Sequence, residues 1–153
     1  MTKSLLIGCG NLGKNILRGF YKKKKQILIC EKKKNFLKEI RKNYKNFFEV
    51  KESLKDVPFD KIEYILLCIK PQQVSEILKI VSQKKERKIK IISFVAGLKD
   101  KKVRSFFRYN IEVIRIMPNL LLKVNKSTTG IFSNNLSIFQ KAKIEKEFSF
   151  FGK

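Results

Sequence analysis

The glycine-rich stretch of residues 8–13 limits the folds open to this chain more than any other feature. It has the spacing G-x-G-x-x-G, follows an apolar run at residues 4–7 and leads directly into an amphipathic pattern. Strand, glycine turn and helix in this order are typical of a dinucleotide-binding site. Gly8 allows the sharp turn, Gly10 lets the backbone approach a pyrophosphate, and Gly13 lets the helix pack on the strand. The alternative is a glycine turn without a ligand, since the spacing alone recurs by chance.

The length and charge of the chain limit its number of domains and its kinds of partner. Its 153 residues predict one domain with one core, and its formal net charge is +23. Lys, Ile, Phe and Asn are all abundant, and they share A/T-rich codons, so we interpret the basic charge as a compositional bias. We therefore expect no specific nucleic-acid partner, although such a surface attracts anions at low salt.

The cysteines and the missing histidines argue against metal chemistry. Cys9, Cys30 and Cys68 each fall near the end of a predicted strand, none forms a C-x-x-C pair, and the chain has no histidine. We predict three buried thiols in a reducing compartment and no metal site. No apolar run approaches the ~20 residues of a membrane span, and no signal peptide precedes the first strand. These features predict a cytoplasmic protein without a membrane partner.

Short apolar runs alternate with amphipathic segments along the whole chain. We predict strands at residues 4–7, 26–31, 47–50, 62–69, 89–94, 111–117 and 129–132. We predict helices at residues 11–21, 35–46, 71–81, 100–108 and 136–151. Residues 51–61 are interpreted as a charged connection. The predicted fold class is α/β, a doubly wound, mainly parallel sheet of the Rossmann type in a single domain.

Ligands of such sheets lie at the carboxyl ends of the strands. Residues 8–13, 68–71, 95–97 and 117–119 all follow predicted strands and should meet in one groove. Glu31 ends the second strand, 18 positions after Gly13, where a carboxylate can accept hydrogen bonds from ribose hydroxyls. Lysines 32–34 follow it and could instead neutralise a 2′-phosphate, so NAD and NADP both remain open. The lysine run at 22–25 is interpreted as a solvated end of the first helix.

Five blocks of the chain together resemble one enzyme family. The blocks are G-C-G-N-L-G-K at residues 8–14, I-K-P at 69–71, S-F-V-A-G-L at 93–98, R-I-M-P-N at 115–119 and T-T-G-I at 128–131. In order and spacing they resemble the pyrroline-5-carboxylate reductases, over essentially the whole chain. The resemblance implies reduction of 1-pyrroline-5-carboxylate to proline with NADPH or NADH, the last step of proline biosynthesis.

The resemblance also implies a set of cofactor contacts. The implied contacts are Ile7, Gly8, Cys9, Gly10, Asn11, Leu12, Gly13, Glu31, Lys32, Ile69, Lys70, Pro71, Ala96, Gly97, Met117, Pro118 and Asn119. Residues 7–12 would meet the pyrophosphate, residues 31–32 the adenosine ribose, and residues 96–97 and 117–119 the nicotinamide. The chain departs from the family in lacking a glycine turn at residues 22–25 and an asparagine near residues 50–52.

The chain stops where the family continues into a helical domain that builds the dimer and the substrate pocket. The resemblance therefore implies that residues 1–153 are the NAD(P)-binding domain alone: a fragment, half of a split enzyme or a truncated product. A separate chain could then supply the helical domain. We also expect the surface around Phe148, Phe150 and Phe151 to be left exposed.

Hydride transfer to a protonated cyclic imine requires positioning more than acid–base side chains, in agreement with a chain that lacks histidine. No catalytic residue is certain. Lys70 and Asn119 are the candidates for positioning the cofactor or the substrate. The alternative for Lys70 is a solvent-facing lysine, and the alternative for Asn119 is a residue that caps a turn. Thr128 and Thr129 are instead explained by strand propensity. Two alternative functions remain: a non-catalytic NAD(P)-binding module, and another reductase with the same cofactor domain.

Overall fold

The computed structural model describes residues 4–84, 89–118, 129–133 and 136–151. The strands β1 to β7 are Ser4–Ile7, Leu28–Cys30, Glu49–Lys51, Tyr64–Leu67, Lys90–Ser93, Glu112–Pro118 and Thr129–Phe132. The helices α1 to α5 are Asn11–Lys22, Lys34–Tyr44, Val74–Ser82, Asp100–Arg104 and Ile138–Glu147. The predicted fold class is confirmed: the strands form one mostly parallel sheet with helices on both faces.

The strand order of the sheet is β3-β2-β1-β4-β5-β6-β7. The first six strands are parallel, and β7 pairs with β6 in the antiparallel direction. β1 lies between β2 and β4, so the chain moves outward from β1 first in one direction and then in the other. In open α/β sheets, the ligand crevice forms where the strand order reverses. Here that point is the carboxyl end of β1, where the glycine motif begins.

Both faces of the sheet are buried, which explains the continuous apolar runs of the strands. On one face, Leu5 and Ile7 pack with α3 and α4. On the other face, Leu6 packs with α1, α2 and α5. Alternate residues of one strand thus pack into two separate hydrophobic cores, one on each face of the sheet.

The segment interpreted as a charged connection contains ordered structure. Residues Leu54–Asp56 and Phe59–Lys61 form two 3-10 turns, and Ser53 caps the first by accepting a hydrogen bond from the Lys55 amide at 3.2 Å. Leu54, Val57 and Phe59 are buried against the sheet. The segment therefore covers one face of the sheet as a short helix would.

The expectation that residues 148–151 are exposed is wrong. Phe148 and Phe151 are only 4% and 1% exposed, and their rings contact Phe94 at centroid distances of 5.7 and 6.0 Å. Phe150 is partly buried and lies edge-on to Phe20 at 5.7 Å. α5 ends at residue 147, and Ser149–Phe151 form a 3-10 turn in which Phe151 is buried. The exposed aromatic of this region is Phe139, at 88%.

The sequence predicts that the lysine run at the end of α1 is solvated. The structure shows that this run is only partly solvated. The Lys23 ammonium donates to the carbonyl oxygens of Lys146 and Glu147 at 2.7 and 2.9 Å. Burial lowers the pKa of Lys23, while the nearby Glu147 acts in the opposite direction. Lys25 forms an ion pair with the Glu147 carboxylate. Lys23 therefore caps the C-terminus of α5, and Lys25 adds a second positive charge beside it, where a helix attracts positive charge.

Candidate cofactor-binding site

Gly8 makes the sharp turn between β1 and α1. Its φ is +92°, and its amide donates to the Cys30 carbonyl at 3.1 Å. A Cβ added at this position would lie 2.6 Å from the Cys68 carbonyl oxygen and 2.9 Å from Ile69 Cγ2. Both the backbone conformation and the space therefore require glycine.

Gly10 and Gly13 differ in their surroundings. Gly10 precedes α1, and a Cβ added there would meet nothing within 4 Å. Gly13 is buried, and a Cβ added there would overlap the carbonyl oxygen of Gly8. Gly13 thus permits close packing within the motif, whereas the backbone at Gly10 stays open to a ligand. The first-turn amides of α1 have no intrahelical acceptor, and this turn contains no acidic residue.

A cavity of about 540 Å³ opens beside this turn. Its walls come from the ends of β1, β2 and β4, the start of α2, the segment after β3, and α3. Eight residues predicted as cofactor contacts border it: Ile7, Gly8, Cys9, Gly10, Glu31, Lys32, Ile69 and Lys70. The structure therefore gathers the glycine turn, the end of β2 and the I-K-P block around one space.

The carboxylate of Glu31 is fixed by two backbone amides. One oxygen, Oε2, accepts from the Cys9 amide at 2.7 Å, and the other, Oε1, accepts from the Lys33 amide at 2.8 Å. The residue is only 7% exposed. Glu31 thus joins the glycine turn to the end of β2 as well as bordering the cavity.

The lysines that follow Glu31 are turned to other partners. Lys32 lies 3.8 Å from the Glu76 carboxylate in an exposed pair, and the Lys33 ammonium lies 5.3 Å from the centre of the Phe36 ring. Lys70 is exposed, and its amide donates to the Gln73 side chain at 3.2 Å.

Those of the remaining predicted contacts that the structure describes lie outside the cavity wall. Asn11 and Leu12 belong to the first turn of α1, and Pro71 begins a 3-10 turn before α3. Ala96 and Gly97 form an exposed turn after β5, where Gly97 has a φ of +71°. Gly13 is buried behind the glycine turn. Met117 and Pro118 are the last two residues of β6, and Met117 is 40% exposed. Asn119 and Thr128 lie outside the described residues, and the structure describes only the backbone of Thr129.

Sequence reasoning missed about half of the cavity wall. The additional residues are Cys30, Phe36, Glu52, Ser53, Leu54, Lys55, Gln73, Glu76, Ile77, Ile80, Gln83 and Lys84. The pattern Ser53-x-x-Asp56 is a helix-start signal that could have identified the segment after β3. α3 was recognised, but the side it turns towards the cavity was not.

The three cysteines of the site are free thiols without nucleophilic character. Burial raises the pKa of Cys30 to about 11, with Glu31 as a second cause, and burial also raises the pKa values of Cys9 and Cys68. All three therefore stay protonated at neutral pH. Among the described residues there is no group of three Cys, Asp or Glu side chains that could hold a metal ion, and no helix long and apolar enough to cross a membrane.

Comparison with protein families gives a match over the first part of the chain. Residues 4–97 match the family model described as NADP oxidoreductase, coenzyme F420-dependent. This range includes the glycine turn, Glu31 and the exposed turn at residues 96–97.

Individual relatives extend the similarity beyond that range. The chain is 28% identical to pyrroline-5-carboxylate reductase of Aquifex aeolicus, over 92% of this chain and 52% of the relative. The crystal structure of 1-pyrroline-5-carboxylate reductase from Streptococcus pyogenes has a TM-score of 0.80 at 25% identity, covering 98% of this chain and 56% of that one. The Plasmodium falciparum pyrroline carboxylate reductase with NADP bound shares the fold, with a TM-score of 0.74 at 18% identity, over 99% of this chain and 55% of that one. The chain spans about half the length of these proteins.

Proposed function

Because the chain belongs to the family described as NADP oxidoreductase, coenzyme F420-dependent, we propose that it binds NAD(P)H as the cofactor domain of a pyrroline-5-carboxylate reductase. The observation that carries the proposal is the cavity in which Gly10, the ends of β1 and β2, and Glu31 meet. A dinucleotide fits this space because the open backbone at Gly10 accommodates a pyrophosphate that any Cβ would obstruct.

The residues have separate roles in this proposal. The first-turn amides of α1 bind the pyrophosphate, with the positive end of the helix dipole behind them. Glu31 accepts hydrogen bonds from the adenosine ribose, and Lys70 at the cavity mouth orients the cofactor. Ala96, Gly97, Met117 and Pro118 form one wall beside the nicotinamide. Asn119 is a further positioning candidate by resemblance alone.

The proposed reaction is the reduction of 1-pyrroline-5-carboxylate to proline. The bound NAD(P)H supplies the hydride, and a protonated imine already carries the electrophilic carbon. The protein therefore contributes mainly position, and a chain without histidine suffices for this task. We further propose that residues 1–153 act as one domain, with a helical domain completing the substrate pocket. Three free thiols fit a reducing compartment, so we place the reaction in the cytoplasm.

Calorimetric titration of the 153-residue chain with NADH and with NADPH tests the proposal. We expect saturable binding of at least one cofactor at a single site, in moderate salt that suppresses binding through general positive charge. Binding of neither cofactor would refute the proposed function. Ser105→Ala, which changes an exposed residue at the end of α4 and outside the cavity wall, serves as a control variant that should bind as the unmodified chain does.

A non-catalytic NAD(P)-binding module is the second candidate. It is favoured by one observation: the predicted nicotinamide contacts at residues 96–97 and 117–118 do not border the cavity. Such a module binds the cofactor but forms no proline from 1-pyrroline-5-carboxylate. Rapid proline formation by the purified chain, lost in Gly10→Ala, would exclude this candidate.

A further inference from the structure

We propose that a second cavity, at the amino edge of the sheet, binds a small zwitterion with the charged groups of an α-amino acid. The cavity measures about 390 Å³ and lies at the starts of β5 and β6, whereas the cofactor-binding site lies at the carboxyl edge. Its wall comes from the start of β5, the last residue of α4, residues 110–112 and Gln140 of α5. The two cavities share no wall residue, so this site is separate from the proposed cofactor site.

Two groups of opposite charge in this wall are held by other partners. Arg104 Nη1 donates to the side-chain oxygen of Asn110 at 3.0 Å and to the carbonyl oxygen of Ile111. One carboxylate oxygen of Glu112, Oε2, lies 3.3 Å from the Lys90 ammonium. In the described part of the chain, no ion pair joins Arg104 to Glu112. The guanidinium and the carboxylate therefore border one cavity without neutralising each other.

Each of these two groups also has one polar atom that the fold leaves without a partner. Among the described residues, the buried atoms Arg104 Nη2 and Glu112 Oε1 form no hydrogen bond. An unpaired buried donor or acceptor costs free energy, which a ligand that bonds to it recovers. Both side chains are partly exposed as a whole, so small rotations of their outer torsions bring these atoms to a ligand.

The polarity of the two atoms defines the ligand. Nη2 of Arg104 is a donor and suits a carboxylate, whereas Oε1 of Glu112 is an acceptor and suits an ammonium group. Gln140 already uses its side-chain oxygen to accept from the Ser137 amide at 2.9 Å, so it offers the cavity only its NH2 donor. A simple anion would leave Glu112 unpaired, and a simple cation would leave Arg104 unpaired. A zwitterion satisfies both.

The test uses L-valine, because Ile89 and Ile111 border the cavity and suit a short hydrocarbon side chain. Isovalerate keeps the shape of L-valine without the ammonium, and isobutylamine keeps it without the carboxylate. Each compound is titrated into the isotope-labelled full chain while amide chemical shifts are recorded. We expect saturable binding of L-valine with a dissociation constant on the order of 1 mM, and shifts at residues 89–90 and 110–112.

Each analogue should bind at least about tenfold more weakly than L-valine, because each loses one hydrogen bond to a charged group. The net charge of +23 favours the anion isovalerate over the neutral zwitterion. Weaker binding of isovalerate therefore cannot result from general positive charge.

Two charge-matched variants test the carboxylate directly. Glu112→Gln removes the negative charge from the cavity and should weaken L-valine binding at least about tenfold. Glu145→Gln removes the same charge from an exposed pair with Lys141 on α5, outside the cavity wall. This control should bind L-valine within about twofold of the unmodified chain.

Three results would overturn the inference. Isovalerate binding as tightly as L-valine would make the cavity a simple anion site. Unchanged shifts at residues 89–90 and 110–112 up to about 100 mM L-valine would leave a cavity that holds water only. Equal affinities of Glu112→Gln and Glu145→Gln would remove the carboxylate from the site. The two analogues decide the matter on the unmodified chain where Glu112→Gln fails to fold, and failure to bind NADH and NADPH would overturn only the proposed function.

Discussion

The carboxyl edge of the sheet has two sides of different construction. On the Glu31 side, defined by residues 8–10, 31–33 and 69–70, the backbone is packed and the charged group is bonded twice. On the Gly97 side, defined by residues 96–97 and 117–118, Ala96 and Gly97 are exposed and Met117 is 40% exposed.

The difference indicates which half of a dinucleotide this chain recognises by itself. The Glu31 side is held by contacts among the described residues and needs no ligand to acquire its shape. The Gly97 side offers one open wall within the described part of the chain. Affinity should therefore depend mostly on the adenosine half of the cofactor, because a preorganised site loses little entropy on binding.

The largest expected effect compares one glycine from each side. Both Gly8 and Gly97 have positive φ, +92° and +71°, but only a Cβ at Gly8 meets other atoms, the nearest at 2.6 Å. Gly8→Ala should lower the free energy of unfolding by about 4 kcal/mol, and Gly97→Ala by about 1 kcal/mol. Urea unfolding of both variants measures this difference. Equal losses would show that the two sides are packed alike.

The second-largest effect is expected at alkaline pH, which should lower the free energy of unfolding through Cys30, beside Glu31. The pKa of Cys30 is raised from about 9 to about 11 in the fold, so the folded state holds its proton more tightly than the unfolded chain. The Cys30 contribution is complete below pH 9 and falls as the pH rises through 11, with a loss of about 2 kcal/mol at pH 11. Urea unfolding at pH 8 and pH 11 measures the loss. Cys30→Ala should show a smaller loss over the same interval; an identical loss would contradict the assignment to Cys30.

Gly10→Ala should separate binding from folding. Gly10 has a φ of −65°, which alanine adopts readily, and a Cβ there has free space within 4 Å. The free energy of unfolding should change by less than about 0.5 kcal/mol, while the affinity for the preferred cofactor falls at least about tenfold. Thermal unfolding and calorimetric titration provide the two measurements. Unchanged affinity would place the pyrophosphate away from this turn.

The smallest expected effect concerns the nicotinamide itself. ADP-ribose, which lacks the nicotinamide, should bind within about threefold of NADH, since the Gly97 side adds few contacts in the described chain. Competition between ADP-ribose and NADH for the same site measures the ratio. NADH binding about a hundredfold more tightly would reveal a well-formed nicotinamide site and erase the contrast between the two sides.

Local sequence patterns predicted the sheet and the Glu31 side well. The glycine spacing predicted the turn because the need for glycine arises from local crowding. At Gly8, for example, an added Cβ would overlap the Cys68 carbonyl oxygen. Glu31 was placed correctly at the end of β2, but its bond to the Cys9 amide, 22 residues away in sequence, was not foreseen. Its role towards a ribose remains a prediction.

Contacts between distant segments were the main source of error. Leu54, Val57 and Phe59 are separated by charged residues, so their shared burial does not show as a strand or helix period. The bonds from Lys23 to residues 146 and 147 join positions 123 and 124 apart, beyond any local pattern. Phe148 and Phe151 were expected on the surface because the family continues beyond them, yet the sheet itself provides their contacts.

The inward turn of the Phe148 and Phe151 rings has a consequence for biosynthesis. During translation, Phe20 of α1 and Phe94 just after β5 are made long before the residues that cover them. Until residues 148–151 leave the ribosome, that apolar surface faces water or a chaperone. The nascent chain therefore completes this core only once residues 148–151 have emerged, well after its glycine turn.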